Sequence, residues 1–304
     1  MGAYVNSNIK ICTQWKKDLN LHEEDVFRTQ KFDMDLSVFA IIGLPVVVSL
    51  LAVRWVYFKI LKIAKEKNLV DNPDARKLQK VPVPVVGGLA VFFGLLFGLL
   101  CGITMMNIFA GDIGMFSGIV SVNRLLPIVL GMSIMLYVGC MDDIMGLSPK
   151  ARFLIEILVI LGLIYSSGIS VDSLHGLWGI DDIPSVVAVP LTIFAGVGII
   201  NAINMVDGVN GLSSGLCITC SMLFGLQFFC IGDYVNAVLA FSIASSLFLF
   251  FIHNVFGNQS RMFIGDAGTM VMGVLMTWFV MCSMHDAGRG MILDYAYCPT
   301  AMVV

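Results

Sequence analysis

Eight apolar runs, each close to 20 residues long, limit how this sequence can fold more than any other feature. About 20 apolar residues in a helix cross the hydrocarbon core of a bilayer. Hydrophobic residues make up 58% of the chain and charged residues 13%, whereas soluble domains average about 45–50% and about 25%. The sequence therefore predicts an all-α, polytopic integral membrane protein with about eight transmembrane helices. The runs fall near residues 36–58, 86–106, 124–141, 152–169, 186–203, 211–231, 234–252 and 267–284.

The charged residues are concentrated in the short segments between these runs, so the net charge of −3 gives no reason to expect a nucleic-acid partner. The segment between the first two runs is more basic than any other short loop, which places it in the cytoplasm. Alternation then puts four loops on the cytoplasmic face, together with nearly all the polar residues that can do chemistry. These loops are 59–85, 142–151, 204–210 and 253–266.

Asp142 and Asp143 lie side by side at the end of the third apolar run. Carboxylates are costly to hold near hydrocarbon, so the pair implies a cation or an exchanging proton opposite them. Neighbouring residues on a helix point about 100° apart, so the two carboxylates are expected to have different roles rather than to chelate one ion side by side. A solvated pair that only marks the helix end is the alternative.

A second polar motif ends the fifth run, where Asn201, Asn204 and Asp207 recur every three residues. This spacing places them on one face of a helix, and Gly208 and Gly211 then allow a tight turn. A row of amide and carboxylate groups suits a polar, hydrogen-bonding ligand. A polar helix C-terminus with a glycine stop is equally consistent with this stretch alone.

Asp266 opens the last run, between Gly265 and Gly268. The N-terminal end of a helix carries partial positive charge, and the glycines permit close approach by a phosphate or a metal ion. An aspartate that simply caps the helix is the bland alternative.

The fourth motif precedes the second run, where Pro82-Val-Pro84-Val-Val-Gly87-Gly88 fixes a non-helical approach to the helix. Three cations come just before it, at Arg76, Lys77 and Lys80. Taken alone, these cations favour a simple positive-inside loop.

Together, the four motifs place acidic groups, amides and basic residues on one cytoplasmic face. Mg²⁺ prefers one or two carboxylates plus substrate phosphates, and cations stabilise the charge that develops during phosphoryl transfer. The residues therefore indicate phosphoryl chemistry between a cytoplasmic donor and a molecule in the bilayer.

In this order, the motifs resemble the signature loops of the polyprenyl-phosphate N-acetylhexosamine-1-phosphate transferases, over roughly two thirds of the chain from Lys67 to Gly273. The fourth motif resembles the branch that uses UDP-N-acetylglucosamine more than the peptidoglycan branch. The resemblance implies Mg²⁺-dependent transfer of N-acetylglucosamine-1-phosphate from the UDP-sugar to undecaprenyl phosphate, with release of UMP, at the cytoplasmic face of a bacterial inner membrane. Mn²⁺ is the alternative ion, and a homodimer is an open question. A phospho-MurNAc-pentapeptide transferase is the alternative enzyme.

The resemblance also implies roles for individual residues. Asp142 would be the base that acts on the lipid phosphate, Asp143 would support catalysis and the metal, and Asp266 would be a Mg²⁺ ligand. The implied nucleotide-sugar residues are Asn204, Asp207, Asn254 and Phe263, with Phe263 stacking on uracil. The implied phosphate contacts are Lys77, Lys150 and Arg152.

The chain departs from the family pattern at several points. Asn210 stands where many members have a second Asp, and Gln79 replaces a common His. Members usually continue through further helices with a cytoplasmic His-rich loop, whereas this chain ends at Val304, and His285 falls on the opposite face. This departure leaves two interpretations: the sequence is truncated or frameshifted, or it is complete and its activity is in question.

We interpret the organisation as a polar tail over 1–35, a transmembrane catalytic domain over 36–284 and a short tail over 285–304. The N-terminal tail is expected to be dispensable, with translation starting at Met34. The mechanism we expect is a single displacement, although a two-step path through an aspartyl-phosphate is also open. The competing classes are an ion-coupled transporter, which predicts acidic residues near helix centres, and an inactive membrane scaffold.

Overall fold

The computed structural model describes residues 23–67, 69–71, 82–109, 122–174, 182–257 and 260–286. Most of these residues are helical, which confirms the all-α class. Two short strands, β1 (Val70–Asp71) and β2 (Val83–Pro84), pair antiparallel. The eight helices of the described residues are α1 (Glu23–Glu66), α2 (Gly87–Phe109), α3 (Val122–Met145), α4 (Pro149–Ser167), α5 (Ser185–Val206), α6 (Leu212–Cys230), α7 (Tyr234–Phe256) and α8 (Gly265–Asp286).

Within the described residues, seven of these helices are long and apolar enough to cross a membrane. The exception is α4, which corresponds to the run expected at 152–169. Its 19 residues include Lys150, Arg152 and Glu156 near the N-terminal end. The helix is capped at both ends, because the Ser148 side chain accepts from Ala151 N–H and Gly168 adopts a left-handed φ of 71°.

The chain divides into two compact units, Met1–Ala40 and Ile41–Val304. The described part of the first unit is the N-terminal part of α1, which begins at Glu23, ahead of the apolar run expected from residue 36. The division into a tail over 1–35 and a domain over 36–284 stays a prediction.

In the second unit, α8 is the central helix. It packs against α2, α3, α5 and α6, and nearly all residues of its span Gly265–His285 are buried. Trp278 and Phe279 are among its largest buried side chains. The helix that carries Asp266 at its N-terminal end is therefore held on several sides.

Glycines set how closely the helices approach. A Cβ added at Gly98 of α2 would lie 2.3 Å from Ser49 Oγ of α1 and 2.7 Å from Ser242 Oγ of α7. At Gly139 of α3, an added Cβ would lie 2.3 Å from Ala267 Cα of α8. Small residues allow such close backbone contact between membrane helices, and the second contact brings the end of α3 against the start of α8.

Candidate active site

The sequence-predicted polar motifs meet at one end of the second unit. Asp143, at the end of α3, contacts the backbone at the start of α8, where its carboxylate accepts from Asp266 N–H at 3.0 Å and from Ala267 N–H at 3.2 Å. Gly265, with a left-handed φ of 73°, makes room, because a Cβ there would lie 2.6 Å from Asp143 Oδ2. The side chain that caps the first N–H groups of α8 thus comes from another helix and is not that of Asp266.

Asp142 has different partners from Asp143, as the 100° separation predicts. One of its oxygens accepts from Leu147 N–H at 2.7 Å, in the turn after α3. The other accepts from Arg152 Nη1 of α4 at 3.2 Å. Asp142 is mostly buried, with 12% of its side chain exposed, whereas Asp143 is exposed.

Arg152 joins two of the carboxylates. Its Nη1 lies 3.2 Å from Asp142 Oδ2 and 3.5 Å from Asp266 Oδ2. One guanidinium group therefore bridges the end of α3 and the start of α8. The sequence placed Arg152 only as a weak phosphate contact, and that role stays a prediction.

Glu156 is a buried carboxylate of this site that sequence reasoning missed. It is completely buried, and its carboxylate accepts from Arg152 Nε at 3.2 Å and from Asn201 Nδ2 at 2.5 Å. Two signals were available. Glu156 follows Arg152 by four residues, the spacing of a helical ion pair, and it is an ionisable group inside an apolar run.

Asp266 is also held from α5. Asn204 Nδ2 donates to Asp266 Oδ1 at 2.8 Å and to Thr269 Oγ1 at 2.9 Å. The Thr269 hydroxyl in turn donates to the Asp266 carbonyl at 3.2 Å. The face that carries Asn201, Asn204 and Asp207 therefore points at the acidic site, and its asparagines orient acidic side chains of α4 and α8.

Asp207 follows α5 directly and accepts a hydrogen bond from Ser213 Oγ at the start of α6. Burial raises the pKa of Asp207 to about 6, with the Ser213 hydrogen bond opposing this shift and the nearby Asp266 carboxylate adding to it.

The rigid motif before α2 pairs with the segment before α8. Phe263 N–H donates to Pro84 O at 2.8 Å, Gly87 N–H to Phe263 O at 2.9 Å and Gly88 N–H to Ile264 O at 2.8 Å. A Cβ at Gly88 would lie 2.3 Å from Gly268 N. Two motifs far apart in sequence thus form one backbone framework beside Asp266.

The residues expected to hold uracil lie in this framework. Asn254 is buried, and its Nδ2 donates to Met262 O at 2.9 Å, while Arg261 Nε donates to Asn254 O at 3.1 Å. Phe263 is partly buried. The Asn254 amide group thus shapes the loop that presents Phe263, and contact with a base stays a prediction for both residues.

Of the two remaining cations, the structure describes Lys150, which does not contact the carboxylates. Lys150 is exposed in the first turn of α4 and takes no part in the described hydrogen bonds and ion pairs. Lys77 lies outside the described residues, as do Arg76, Gln79 and Lys80. His285 lies at the opposite end of α8 from Asp266, as expected, and its Nδ1 is 2.7 Å from Asp172 Oδ2.

The acidic site has an excess of negative charge. Arg152 is the one cation that contacts its carboxylates within the described ranges. In those ranges, no three His, Cys, Asp or Glu side chains come together as a metal cage, so a metal held by the protein alone does not fit. Mg²⁺ usually binds through one or two carboxylates plus substrate phosphates, and the donor set fits that mode. The five carboxylates are Asp142, Asp143, Glu156, Asp207 and Asp266.

The model of the family described as "Glycosyl transferase family 4" matches residues 125–284, which is more than half of the chain. The chain belongs to glycosyl transferase family 4. The matched range contains all five carboxylates of the site, together with Arg152 and Asn204. The family resemblance inferred from the motifs is thereby confirmed.

Individual relatives in bacteria agree with family 4 membership. The chain is 30% identical over 235 residues to a probable undecaprenyl-phosphate N-acetylglucosaminyl 1-phosphate transferase of Bacillus subtilis, covering 75% of this chain and 59% of that protein. It is 28% identical to the undecaprenyl-phosphate alpha-N-acetylglucosaminyl 1-phosphate transferase of Yersinia pestis, covering 72% and 57%. The protein of that name in Escherichia coli K12 is 27% identical, covering 72% and 56%. The chain thus spans a little more than half the length of these relatives.

Proposed function

We propose that this protein transfers N-acetylglucosamine-1-phosphate from UDP-N-acetylglucosamine to undecaprenyl phosphate, releasing UMP. The observation that carries the proposal is that Arg152 bridges Asp142 and Asp266, while Asp143 contacts the backbone of Asp266, at one end of a membrane-spanning bundle. A site at a bundle end suits a reaction between a lipid-borne phosphate and a water-soluble donor. The names of the three relatives support this choice over the phospho-MurNAc-pentapeptide transferase.

The location of the carboxylates favours an enzyme over an ion-coupled transporter. Asp142, Asp143 and Asp266 lie at helix ends, whereas a transporter is expected to bind its ion near the middle of the membrane. We assign this end of the bundle to the cytoplasmic face of a bacterial inner membrane, where UDP-sugars are found, on the basis of the basic segment at the end of α1.

Asp142 is the proposed base. It accepts a proton from the lipid phosphate, whose oxygen forms a bond to the β-phosphorus of the UDP-sugar. The bond from that phosphorus to the bridging oxygen breaks, and UMP leaves with the electron pair. The two contacts to Leu147 N–H and Arg152 fix the Asp142 carboxylate in one orientation, which favours a proton transfer of defined geometry.

Asp266 and Asp143 are the proposed Mg²⁺ ligands. When bound, Mg²⁺ supplies positive charge that offsets the donor diphosphate and the leaving UMP. Asp143 is already fixed by two backbone N–H groups and Asp266 by Asn204, and each carboxylate oxygen retains a further lone pair. Mn²⁺, with similar oxygen preferences, is the alternative ion.

Asn204, Asp207, Asn254 and Phe263 are the proposed nucleotide-sugar residues. Asp207 lies at the turn between α5 and α6, where it accepts a hydrogen bond from Ser213 Oγ. The framework that holds Phe263 through Pro84 and Gly87 offers a rigid support for a stacked base. Lys77 and Lys150 remain proposed phosphate contacts.

The experiment measures UMP release by the purified chain from UDP-N-acetylglucosamine. Release must require both Mg²⁺ and undecaprenyl phosphate, and Asp142→Asn must lower it by about 10²–10⁴-fold, the usual effect of losing a general base. Asp172→Asn, a carboxylate at the opposite end of the bundle, is the matched control. UMP release without the lipid phosphate, or no release by the wild type, would rule out the proposal for this chain.

A second arm separates the one-step from the two-step path. The protein is mixed with UDP-sugar and Mg²⁺ alone, quenched with acid and analysed for phosphorylated aspartate by mass spectrometry. A single displacement predicts no covalent adduct. A phosphorylated Asp142 or Asp143 would rule out the single displacement and support the two-step path through an aspartyl-phosphate.

A further inference from the structure

Glu156 has no role in the reaction proposed above, yet it is the most deeply buried carboxylate of the site, with 0% of the residue exposed. It lies on α4 and touches neither Asp142 nor Asp266. Its contacts are with Arg152 and, through Asn201 Nδ2, with α5. A buried charge of this kind costs desolvation energy, and apolar replacements are often as stable. Its presence therefore calls for a role other than general stability.

The contacts of Arg152 indicate that role. Glu156 accepts from Nε at 3.2 Å, and Nη1 faces Asp142 and Asp266 at 3.2 Å and 3.5 Å. The guanidinium is planar, so fixing Nε and Nη1 also fixes the direction of Nη2. Within the part of the chain that the structure describes, Nη2 has no hydrogen-bond or ion-pair partner, and 17% of the side chain is exposed.

Asn201 holds Glu156 from the other side. Its Nδ2 donates to Glu156 Oε2 at 2.5 Å and to Val197 O at 2.9 Å within α5. Glu156 is thus hydrogen-bonded to a neighbouring helix as well as to Arg152. Two consecutive hydrogen bonds, from Asn201 to Glu156 and from Arg152 to Glu156, therefore connect α5 to the guanidinium group.

We infer that Glu156 is a positioning residue that holds the Arg152 guanidinium between Asp142 and Asp266, with Nη2 directed to a phosphate oxygen of the donor. The identity of that phosphate rests on the proposed function. The orientation of Arg152 rests only on the contacts described here, so the two can be tested separately.

The first test does not use activity. The purified protein, in detergent and without substrates, is treated with phenylglyoxal, and modification of Arg152 is followed by mass spectrometry. Glu156→Ala should speed modification about tenfold, the order expected for losing one hydrogen bond between charged groups. Glu156→Gln keeps an acceptor for Nε and should have a smaller effect. Gln227→Ala removes a buried, hydrogen-bonded side chain at the far end of α6 and should leave the rate unchanged.

The second test uses the transfer reaction. Glu156→Ala should lower kcat about tenfold or more, with the KM for undecaprenyl phosphate unchanged, because the donor phosphate and not the lipid is the partner of Nη2. Glu156→Gln should recover part of kcat. In the Arg152→Ala background, Glu156→Ala should change kcat less than twofold, because Glu156 acts through Arg152.

Two results would overturn the inference: Arg152 modification at the wild-type rate in Glu156→Ala, or an equal loss of kcat from Glu156→Ala with and without Arg152. If Glu156→Ala does not fold, Glu156→Gln must still be modified faster than Gln227→Ala, and equal rates would reject the role. If the wild-type protein has no transfer activity, the proposed function is wrong. The rate of Arg152 modification still tests whether Glu156 positions Arg152.

Discussion

The Asp143 carboxylate and the backbone N–H of Asp266 lie 3.0 Å apart although 123 positions separate them in the sequence. The contact fixes the end of α3 to the start of α8. Both residues must then lie on the same side of any membrane that the bundle crosses. The phosphoryl-transfer proposal depends on this arrangement, since it needs Asp142 and Asp266 to act on one diphosphate.

The first prediction concerns this shared side. In a background with the native cysteines replaced by serine, Lys150→Cys and Asp182→Cys place exposed thiols at opposite ends of the bundle. We expect a membrane-impermeant maleimide to label Asp182→Cys in intact cells and Lys150→Cys only after permeabilisation. Labelling of both positions in intact cells would contradict the topology.

A large part of the fold and site follows from the sequence. The apolar runs predicted the helices because the hydrocarbon core sets their length. Among the described helices, α4 is the exception to the membrane-span assignment, and it carries three charged residues near its N-terminal end. The angle of about 100° between neighbouring helical residues predicted that Asp142 and Asp143 point in different directions. The structure gives them different partners, and their separate roles stay a prediction.

The rest of the site could not be read from local patterns. The capping of α8 by Asp143 and the bridging of two acids by Arg152 depend on how distant helices approach, which glycines such as Gly139 decide through three-dimensional contacts. Asn254 is another example. Its position on α7 gives no sign that its amide donates to Met262 O in the loop before α8, and its contact with uracil stays a prediction.

The second prediction concerns metal affinity. Asn204→Ala removes the donor to Asp266 Oδ1, and loss of such a supporting hydrogen bond typically weakens a metal site about 10- to 100-fold. The Mg²⁺ concentration for half-maximal UMP release should rise accordingly. Asn236→Ala, which removes a buried asparagine bonded to Asp233 and Trp278, should leave it unchanged. An unaltered Mg²⁺ requirement in Asn204→Ala would remove Asp266 from the ligand set.

The third prediction concerns pH. Because burial raises the pKa of Asp207 to about 6, the group loses its charge as the pH falls through 6. We expect kcat/KM for the UDP-sugar to fall below about pH 6 and Asp207→Asn to lack this acidic limb. Ser213→Ala removes a hydrogen bond that lowers the pKa of Asp207. In this variant the fall in kcat/KM should therefore begin at a higher pH than in the wild type.

The same group has a stability consequence of opposite sign. A carboxylate with a raised folded-state pKa contributes stability below its unfolded pKa of about 4 and loses it as the pH rises through the folded value. The Tm of the wild type should therefore decline between pH 4 and pH 7 more than that of Asp207→Asn. Parallel Tm curves for the two proteins would contradict the raised pKa.

The last prediction tests the close approach of α3 and α8. A Cβ at Gly139 would meet Ala267 Cα at 2.3 Å and Asp266 O at 2.6 Å, and these are backbone atoms that cannot rotate away. Gly139→Ala should therefore cost about 1–3 kcal/mol of stability and, by moving Asp143 from the start of α8, lower kcat as well. Gly198→Ala is the matched control, because no atom lies within 4 Å of its added Cβ. Thermal unfolding in detergent compares the two variants, and equal Tm values would mean that α3 and α8 are not in backbone contact at the site.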